Sequence, residues 1–363
     1  MAITPTDERD LLLPLYTGMR DSPPWDEFLR RLAYRTGAER AGLFVRGPNG
    51  RRTDWWSSGK AAQSRPPIAN PRLDAAALSA VMRPHRVFTL DEVLDLLDRE
   101  TRAEAAINRV QTGTAFVRAM RVPFATGFEG LVLLEHGSED FTAAAGALLS
   151  SLAPHLAAAL DLARDFDDLR ARSSMAEQAL ASLGVSQALL DGTGRVVVAD
   201  DGRLGPFRAQ AGGALPRTGP AGQRFAEALD RIGAGATGPE IVPDEAWPER
   251  TLLVRPAPPS GAILPVPGAT VALTRATPAD DTPLVALLEQ LHHLSRREAE
   301  LALALCRGLE LVPAGLDLGL TPETTRNYSK RIYAKTGARG QADLVRLVLT
   351  GLAPFAADAP RAA

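Results

Sequence analysis

The chain has 363 residues, of which 45% are hydrophobic and 23% are charged, and its formal net charge is -2. This length predicts two or three domains, and the composition is that of a globular protein with enough apolar residues to build cores. The near-neutral charge excludes a uniformly basic surface for nucleic acid but allows a local basic patch. The single cysteine, Cys306, excludes an internal disulfide.

The first residues, MAITPTDERD, lack the basic and apolar stretches of a signal peptide, so none is expected. The uncharged run Ala143–Leu160 has the length of a candidate membrane span, but eight of its 18 residues are alanine and it contains Pro154 and His155. A span needs roughly 20 strongly apolar residues. We therefore expect a cytoplasmic protein with no membrane partner.

Residues 1–140 are predicted to form an α+β domain around a central antiparallel sheet. The pattern predicts, in chain order, helices Asp7–Arg20 and Pro24–Thr36, a strand Ala41–Arg46 answered by residues 51–59, a helix near Leu73–Met82, a short strand entering a helix over 86–95, and antiparallel strands Ala115–Phe124 and Phe128–His136. Pro24 suits the first position of its helix, where a missing N–H is harmless. Aromatic residues of this domain are either plain core or the lining of a small-molecule pocket: Trp55, Trp56, Phe116, Phe124 and Phe128.

Residues 141–183 are predicted to be a connecting helix, bent locally at Pro154. Apolar residues follow a spacing of 3, 4, 3, 4 and 3, at Leu149, Leu152, Leu156, Ala159, Ala163 and Phe166. This rhythm is typical of the seam between two helices and would make the protein a dimer. It fits a helix packed on its own sheet equally well, so both interpretations stay open.

Residues 184–276 are predicted to form a second α+β domain. Its expected elements are a hairpin of SQALLD and RVVVAD around Gly192–Gly194, a helix Gln223–Ile232, and strands in TLLVRP and ATVALTR with a loose loop over Pro256–Pro267 between them. The polar stretch Thr277–Thr282 marks a boundary. Residues 284–353 are expected to be helical, followed by a tail at 354–363.

The stretch LGLTPETTRNYSKRIYAKTG, Leu318–Gly337, has the features of a helix-turn-helix. Gly319 suits a sharp turn in left-handed backbone, Thr321 suits an N-cap, and Pro322 suits the first helical position. One face of the new helix then carries Glu323, Arg326, Asn327, Lys330 and Ala334. Arginine, asparagine and lysine hydrogen-bond base edges or phosphates.

Residues 291–353 contain nine Lys and Arg against six Asp and Glu, a local charge of +3, which leaves -5 for the rest of the chain. A basic tip on an acidic body is typical of a DNA-binding module, although the same face could be the solvated side of a helix bundle.

The segment Leu294–Val345 resembles the DNA-binding domain of the LuxR family of bacterial regulators. The family pattern is matched without gaps at Leu294, Ser295, Arg297, Glu298, Glu300, Gly308, Leu318, Gly319, Leu320, Thr321, Thr324, Arg326, Asn327, Ile332, Tyr333, Lys335, Gly337, Leu344 and Val345. The resemblance implies that the helix Pro322–Thr336 enters the major groove of DNA. It implies DNA contacts from Thr324, Arg326, Asn327, Lys330, Arg331 and Lys335. More loosely, the layouts of the two upstream domains resemble GAF and PAS sensor domains, and the hairpin after residue 184 resembles the opening of a PAS domain.

The chain departs from the family pattern inside the helix-turn-helix. The scaffold helix carries Pro313-Ala314-Gly315 in place of Glu-Ile-Ala, and Gly315 costs about 1 kcal/mol of helix stability. The inward stripe of the recognition helix has Thr325, Ser329 and Thr336 around Ile332, where larger apolar residues are usual. Each such change costs on the order of 1–4 kcal/mol in a core, which predicts a thin supporting core. The helix would then pack through other residues or lean on another surface.

The sequence therefore predicts a transcription regulator with two sensory or dimerising α+β domains and a C-terminal helix-turn-helix. Expected partners are promoter duplex DNA, RNA polymerase, and a second copy or a different regulator. The rival hypothesis is a protein-interaction regulator whose degenerate helix-turn-helix binds DNA only with a partner or not at all. No catalytic motif or metal-ligand spacing is visible, so neither enzyme activity nor a cofactor is expected; Cys306 is expected to be a small core residue, and His292-His293 lacks further ligands.

Overall fold

The computed structural model describes residues 4–57, 81–96, 98–199, 202–204, 207–243, 251–257, 270–275 and 282–351. The chain divides into two compact units, Met1–Arg170 and Ala171–Ala363. Each contains a five-stranded antiparallel sheet together with helices, so the predicted α+β class is confirmed. The expected helix near Leu73–Met82 (apart from its last two residues), the boundary Thr277–Thr282 (apart from its last residue), most of the loop Pro256–Pro267 and the tail 354–363 lie outside the described residues.

The first helical region runs from residue 5 to 20 in four consecutive pieces. They are α1 (Pro5–Asp7), a π-helical stretch (Glu8–Leu12), α2 (Leu13–Thr17) and a 3₁₀ turn (Gly18–Arg20). The next helix, α3 (Asp26–Thr36), begins later than predicted, and Pro24 is outside it. Trp25 is the reason: it caps the helix in left-handed backbone, with φ 57°. Its buried ring donates Nε1–H to the Leu15 carbonyl over 3.0 Å.

The first sheet consists of β1 (Arg40–Arg46), β2 (Arg52–Trp56), β3 (Val87–Thr89), β4 (Phe116–Phe124) and β5 (Phe128–His136). The strand order is β2-β1-β5-β4-β3, and every neighbouring pair is antiparallel. The predicted hairpins β1–β2 and β4–β5 are confirmed. The predicted short strand entering a helix is also confirmed: β3 leads into α4 (Leu90–Asp95) through a capping box of Thr89 and Glu92, and α5 (Arg99–Thr112) follows.

The two faces of this sheet pack in separate apolar clusters. One cluster joins the sheet to the N-terminal helices and to the long helix α6 (Ala143–Ser182), with Leu15, Phe28 and Val132 at its centre. The other lies on the opposite face, where Met82, Phe88 and Val93 pack against the strands. Every buried residue of both clusters belongs to the first unit.

Helix α6 spans 40 residues with Pro154 inside it, so the helix predicted over this stretch is present. Leu149, Leu152, Leu156 and Ala159 are each 0% exposed, and they pack in the core of the first unit. The stripe from Leu149 to Ala163 is therefore occupied by the protein's own core and is not free to pair with a second copy, whereas Phe166 is half-exposed. An 18-residue window of α6 has a mean hydropathy of 1.5 and passes the length and composition test for a membrane span, but 44% of that window is buried in the fold. The buried part of this run packs in the core of the first unit.

The second sheet contains β6 (Val185–Leu190), β7 (Val196–Ala199), β10 (Glu240–Val242), β11 (Leu252–Pro256) and β12 (Thr270–Arg275), in the order β10-β11-β12-β6-β7. The predicted hairpin is present as β6–β7, with a bulge between Leu189 and Leu190. The short pair β8 (Gly202–Leu204) and β9 (Phe207–Ala209) and the edge strand β10 were not predicted. Helix α7 (Gly219–Gly233) contains the predicted helix and is longer at its start; Phe225 anchors it in this core at 0% exposure.

The last part of the chain is helical, as predicted. Its elements are α8 (Thr282–His292), α9 (Arg296–Cys306), α10 (Leu311–Asp317), α11 (Pro322–Thr336) and α12 (Gln341–Thr350). They enclose one apolar cluster centred on Leu301, Leu305 and Ile332, all 0% exposed.

Candidate nucleic-acid interface

Helices α10 and α11 form a helix-turn-helix whose turn is set by Gly319. Gly319 adopts φ 72°, which favours glycine, and its N–H bonds to the Leu316 carbonyl over 2.9 Å. The Leu320 N–H returns to the Gly315 carbonyl over 2.8 Å, so the end of α10 is satisfied as in a Schellman motif. Thr321 then caps α11: its Oγ1 accepts the Thr324 N–H over 3.2 Å, and Pro322 is the first helical residue. The predicted turn and cap are confirmed.

The inward stripe of α11 is polar but locally satisfied. Thr325 and Ser329 are 0% and 5% exposed. Thr325 Oγ1 donates to the Thr321 carbonyl over 2.8 Å, and Ser329 Oγ donates to the Arg326 carbonyl over 2.9 Å. Thr336 Oγ1, half-buried, bonds to the Ile332 carbonyl over 2.8 Å. Because buried hydroxyls are costly mainly when they lack a partner, the predicted penalty of this stripe is much reduced.

The scaffold helix α10 compensates for the small inward residues of α11 by packing close to that helix. A Cβ on Gly315 would meet Thr325 Oγ1 and would lie 2.6 Å from its Cγ2, a distance that real atoms do not adopt. Gly315 thus lets α10 pack directly on Thr325, and Pro313 lies in the first turn of α10, where its missing N–H does no harm. Tyr328 and Tyr333 add partly buried contacts to the same cluster. The supporting core is therefore built by close approach and tyrosine packing.

The outward face of α11 is exposed as the sequence predicts. Glu323, Arg326, Asn327, Lys330 and Ala334 all lie on the surface, and so does Arg331. Within the described residues, the side chains of Arg326, Asn327, Lys330 and Arg331 make no hydrogen bond or ion pair to the protein. By contrast, the exposed Arg296 and Arg297 of α9 are bound to Glu300 over 3.3 and 3.0 Å. The side chains of α11 are accordingly available to an external acceptor.

Two of the residues that the resemblance assigns to DNA have partners within the domain. Thr324 is half-buried, and its Oγ1 lies 2.8 Å from Thr321 Oγ1. Lys335 Nζ lies 2.6 Å from Oε2 of the buried Glu298, which also accepts the Ser295 N–H over 2.8 Å. Burial opposes the charge of Glu298, but these bonds from Lys335 and Ser295 outweigh it and hold the pKa of the carboxyl below its usual value. The capping box of Ser295 and Glu298 is visible in the sequence, whereas the pairing with Lys335 is not.

Three of the five aromatic residues suggested for a pocket meet in one cleft of the first unit. Trp55, Phe124 and Phe128 line an open cavity of about 260 Å³ together with Trp25. The Arg164 guanidinium lies 4.4 Å from the Phe128 ring centre and is bound to Asp168 over 2.8 Å, so it closes one side of the cleft. Trp56 and Phe116 lie elsewhere: Trp56 packs edge-on against Phe44 at 5.1 Å, and Phe116 packs on the first cluster. Among the described residues, no group of three or more His, Cys, Asp or Glu is placed to hold a metal.

No protein-family model and no curated protein matches this chain. Among solved structures, Escherichia coli SdiA is similar over 86% of this chain and 82% of its own, at 10% identity and a TM-score of 0.25. The N-terminal part of E. coli DhaR, solved with DhaL, is similar over 74% and 87%, at 13% identity and 0.30. The Vibrio cholerae VqmA dimer, described as a LuxR-type receptor, is similar over 46% and 83%, at 18% identity and 0.19. TM-scores this low do not establish a fold or a function for this chain.

Proposed function

We propose that the protein is a cytoplasmic bacterial transcription regulator of the LuxR type, which binds promoter DNA through α11. The observation that carries the proposal is the exposed, unpaired set Arg326, Asn327, Lys330 and Arg331 on one helix. In a protein with a net charge of -2, cations without an internal partner on a single helix favour an anionic ligand.

The shape of α11 supports duplex DNA as that ligand. A helix is about 10–12 Å wide with its side chains, close to the ~12 Å width of the major groove. Arg326 and Asn327 are the residue types that pair with guanine and adenine edges, while Lys330 and Arg331 suit base edges or phosphates. Thr324 stands near the N-terminus of α11, where a phosphate is favoured. Lys335, being bound to Glu298, contributes less to this set than the resemblance implies.

The upstream α+β domains are proposed to receive the signal. Their antiparallel sheets with flanking helices suit GAF-like and PAS-like sensors, with boundaries at 1–140 and 184–276 joined by the helix 141–183 and followed by the helix-turn-helix at 284–353. The open cleft beside Trp55 and Phe128 is the proposed place for a small ligand in the first domain. A second copy, another regulator and RNA polymerase are the partners through which a signal would reach the promoter.

The test compares two double variants that remove the same charge. Arg326→Ala/Lys330→Ala strips the outward face of α11, whereas Arg296→Ala/Arg297→Ala removes two exposed cations of α9 that are already paired with Glu300. Binding is measured by fluorescence anisotropy on sheared DNA of the source bacterium and on a mixed-sequence duplex, over a series of salt concentrations. Each lost phosphate contact lowers the slope of log K against log salt by about 0.9.

We expect the α11 variant to lose most of its affinity and up to about two slope units, while the α9 variant keeps both. Equal binding by wild type and the α11 variant at physiological salt would rule out the groove arrangement. Far-ultraviolet circular dichroism of each variant establishes that the helices remain folded.

A second function is favoured by the scaffold helix. Exposed apolar residues lie along it at Val312 and Leu316 and just before it at Leu309, with exposed fractions of 36%, 59% and 39%. Helix α10 contains no Lys or Arg to meet a DNA backbone. These features suit a protein-interaction regulator whose helix-turn-helix binds DNA only with a partner. This alternative expects no salt-dependent DNA affinity for the pure protein, so the same titration separates the two.

A further inference from the structure

The C-terminal half of α6 has no packed face. After Ala163, no residue of the helix up to Ser182 is buried, and Leu169 and Met175 are 64% and 70% exposed. Helices in proteins draw most of their stability from packing an apolar face, and an isolated helix of about 12–15 residues is marginal in water. A stretch of this length therefore calls for a partner surface.

The exposed half carries an apolar stripe that shares only Phe166 with the one predicted from the sequence. Seven positions follow a spacing of 4 and 3, the last of them directly after the end of the helix: Leu162, Phe166, Leu169, Ser173, Ala176, Leu180 and Leu183. All are exposed or half-exposed, and only Ser173 is polar. Leu156 and Ala163 lie on a neighbouring face of the helix, and the first unit buries both of them in its own core. Three heptads with apolar a and d positions are the pattern of a coiled coil.

The charges beside this stripe indicate what covers it. With Phe166 at position a, the flanking g positions hold Asp165 and Arg172, and the e positions hold Arg170 and Glu177. In a parallel, in-register pair, each g residue meets the e residue five places later on the other helix. Asp165 then meets the second copy's residue at position 170, an arginine, and Arg172 meets position 177, a glutamate. Both contacts are attractive, and two-fold symmetry doubles them.

We propose that residues 162–182 of α6 form a parallel two-stranded coiled coil with a second copy of this chain. The apolar stripe supplies the contact, and the two g-to-e ion pairs select the parallel in-register arrangement. The half-buried Phe166, over which Arg170 lies at 5.1 Å, is the first full layer beyond the globular core. Self-pairing of this helix does not depend on DNA binding, so its failure would leave the proposed function standing.

Charge reversal tests the pairing on the full chain by sedimentation equilibrium without DNA. Arg172→Glu places glutamate against glutamate, and Glu177→Arg places arginine against arginine, so each single variant should dimerise about tenfold more weakly than wild type. An equimolar mixture of the two, and the double variant Arg172→Glu/Glu177→Arg, restore both attractions and should recover wild-type dimerisation. A monomeric wild type at all concentrations, or single variants that dimerise like wild type, would overturn the proposal.

A cysteine cross-link tests the orientation. In a Cys306→Ala background, Ala176→Cys lies at a d position that faces itself only in a parallel in-register pair. We expect a disulfide-linked dimer from Ala176→Cys and none from the outward-facing control Gln178→Cys. Equal cross-linking of both variants, or cross-linking only between Ala176→Cys and a chain carrying Leu169→Cys or Ser173→Cys, would show a different arrangement and refute the parallel one.

Discussion

At the scale of single residues, the buried carboxylate of Glu298 links the start of α9 to the end of α11. It accepts the Ser295 N–H of the capping box and the Lys335 ammonium, and it is 3% exposed. A buried charge held by two bonds is stabilising as a unit and costly when one partner is removed. This contact therefore positions α11 against the domain core.

The depressed pKa of Glu298 predicts an acid sensitivity of this contact. A carboxyl whose pKa is lower in the folded than in the unfolded chain stabilises the fold above its usual pKa of 4.5. That stability is lost as the pH falls through the folded pKa. At pH 7, Glu298→Gln should lower the local stability of α9 and α11 by about 1–2 kcal/mol. Hydrogen exchange of their amides, compared with wild type at each pH from 7 to 3, measures the difference, which should shrink below pH 4.5.

The neighbouring Glu300→Gln is the control for that experiment. Glu300 makes only surface ion pairs with Arg296 and Arg297, which are worth about 0–1 kcal/mol. Its substitution should leave the amide exchange close to wild type at every pH. If Glu298→Gln also left the amide exchange unchanged, the ion pair with Lys335 would not stabilise α9 and α11. Lys335 would then be available for the proposed contact with DNA.

The chain's single cysteine is predicted to be unreactive. Burial raises the pKa of the Cys306 thiol from 9.0 to about 11. The nucleophilic thiolate is therefore about a hundredfold scarcer than for an ordinary thiol at the same pH. Reaction with a colorimetric disulfide reagent at pH 8 should be slow in the native protein and fast after unfolding. Rapid labelling of the native protein would contradict the assigned burial.

At the scale of elements, the close approach of α10 and α11 explains how α11 is held although its inward residues are small. Gly315 offers no side chain, so the methyl group and hydroxyl of Thr325 fill the space between the helices. Thr325, Ser329 and Thr336 satisfy their hydroxyls on their own helix. The pair Gly315 and Thr325 thus replaces the larger packing residues that the LuxR pattern leads one to expect.

This packing predicts an unusual response to alanine. Glycine to alanine inside a helix commonly stabilises by about 0.5–1 kcal/mol. Gly146 in α6, with open space around it, should follow that rule. Gly315→Ala should instead destabilise α10 and α11 by about 1–3 kcal/mol, because its Cβ would collide with Thr325. Denaturant unfolding followed by circular dichroism measures all variants.

A second substitution identifies Thr325 as the cause. Thr325→Ala removes the hydroxyl and methyl group that the new Cβ of the Gly315→Ala variant would strike. The double variant Gly315→Ala/Thr325→Ala should therefore be more stable than Gly315→Ala alone. If Gly315→Ala were stabilising like Gly146→Ala, the two helices would not be in the close contact described.

At the scale of the whole molecule, the first unit supplies its own described core residues. Among the residues that the structure describes, the clusters on both faces of its sheet draw only on residues before Arg170. We predict that residues 1–170 expressed alone unfold in one cooperative transition. Near-ultraviolet circular dichroism reports it through Trp25 and Trp55, whose ring centres lie 4.8 Å apart. A fragment lacking this signal, or unfolding without cooperativity, would mean that residues after 170 complete the core.

Much of the fold follows from short-range patterns in the sequence. The hairpins β1–β2, β4–β5 and β6–β7, the connecting helix and the turn at Gly319 are set by alternation, turn residues and caps, all of which act over a few neighbouring residues. The outward face of α11 belongs to the same group, because positions three and four apart on a helix share a side.

The sequence by itself therefore determined which segments are helix or strand, and that Arg326, Asn327 and Lys330 lie together on one exposed face. Only the tertiary structure decided the contacts between distant residues. Trp25 moves the start of α3, Thr325 packs against Gly315, and Lys335 forms an ion pair with Glu298. The apolar stripe of α6 is buried in the core of the first unit up to Ala163. The reason is physical. Local backbone preferences depend on neighbours in the chain, whereas packing depends on which surfaces meet, and that is set only once the whole domain has formed.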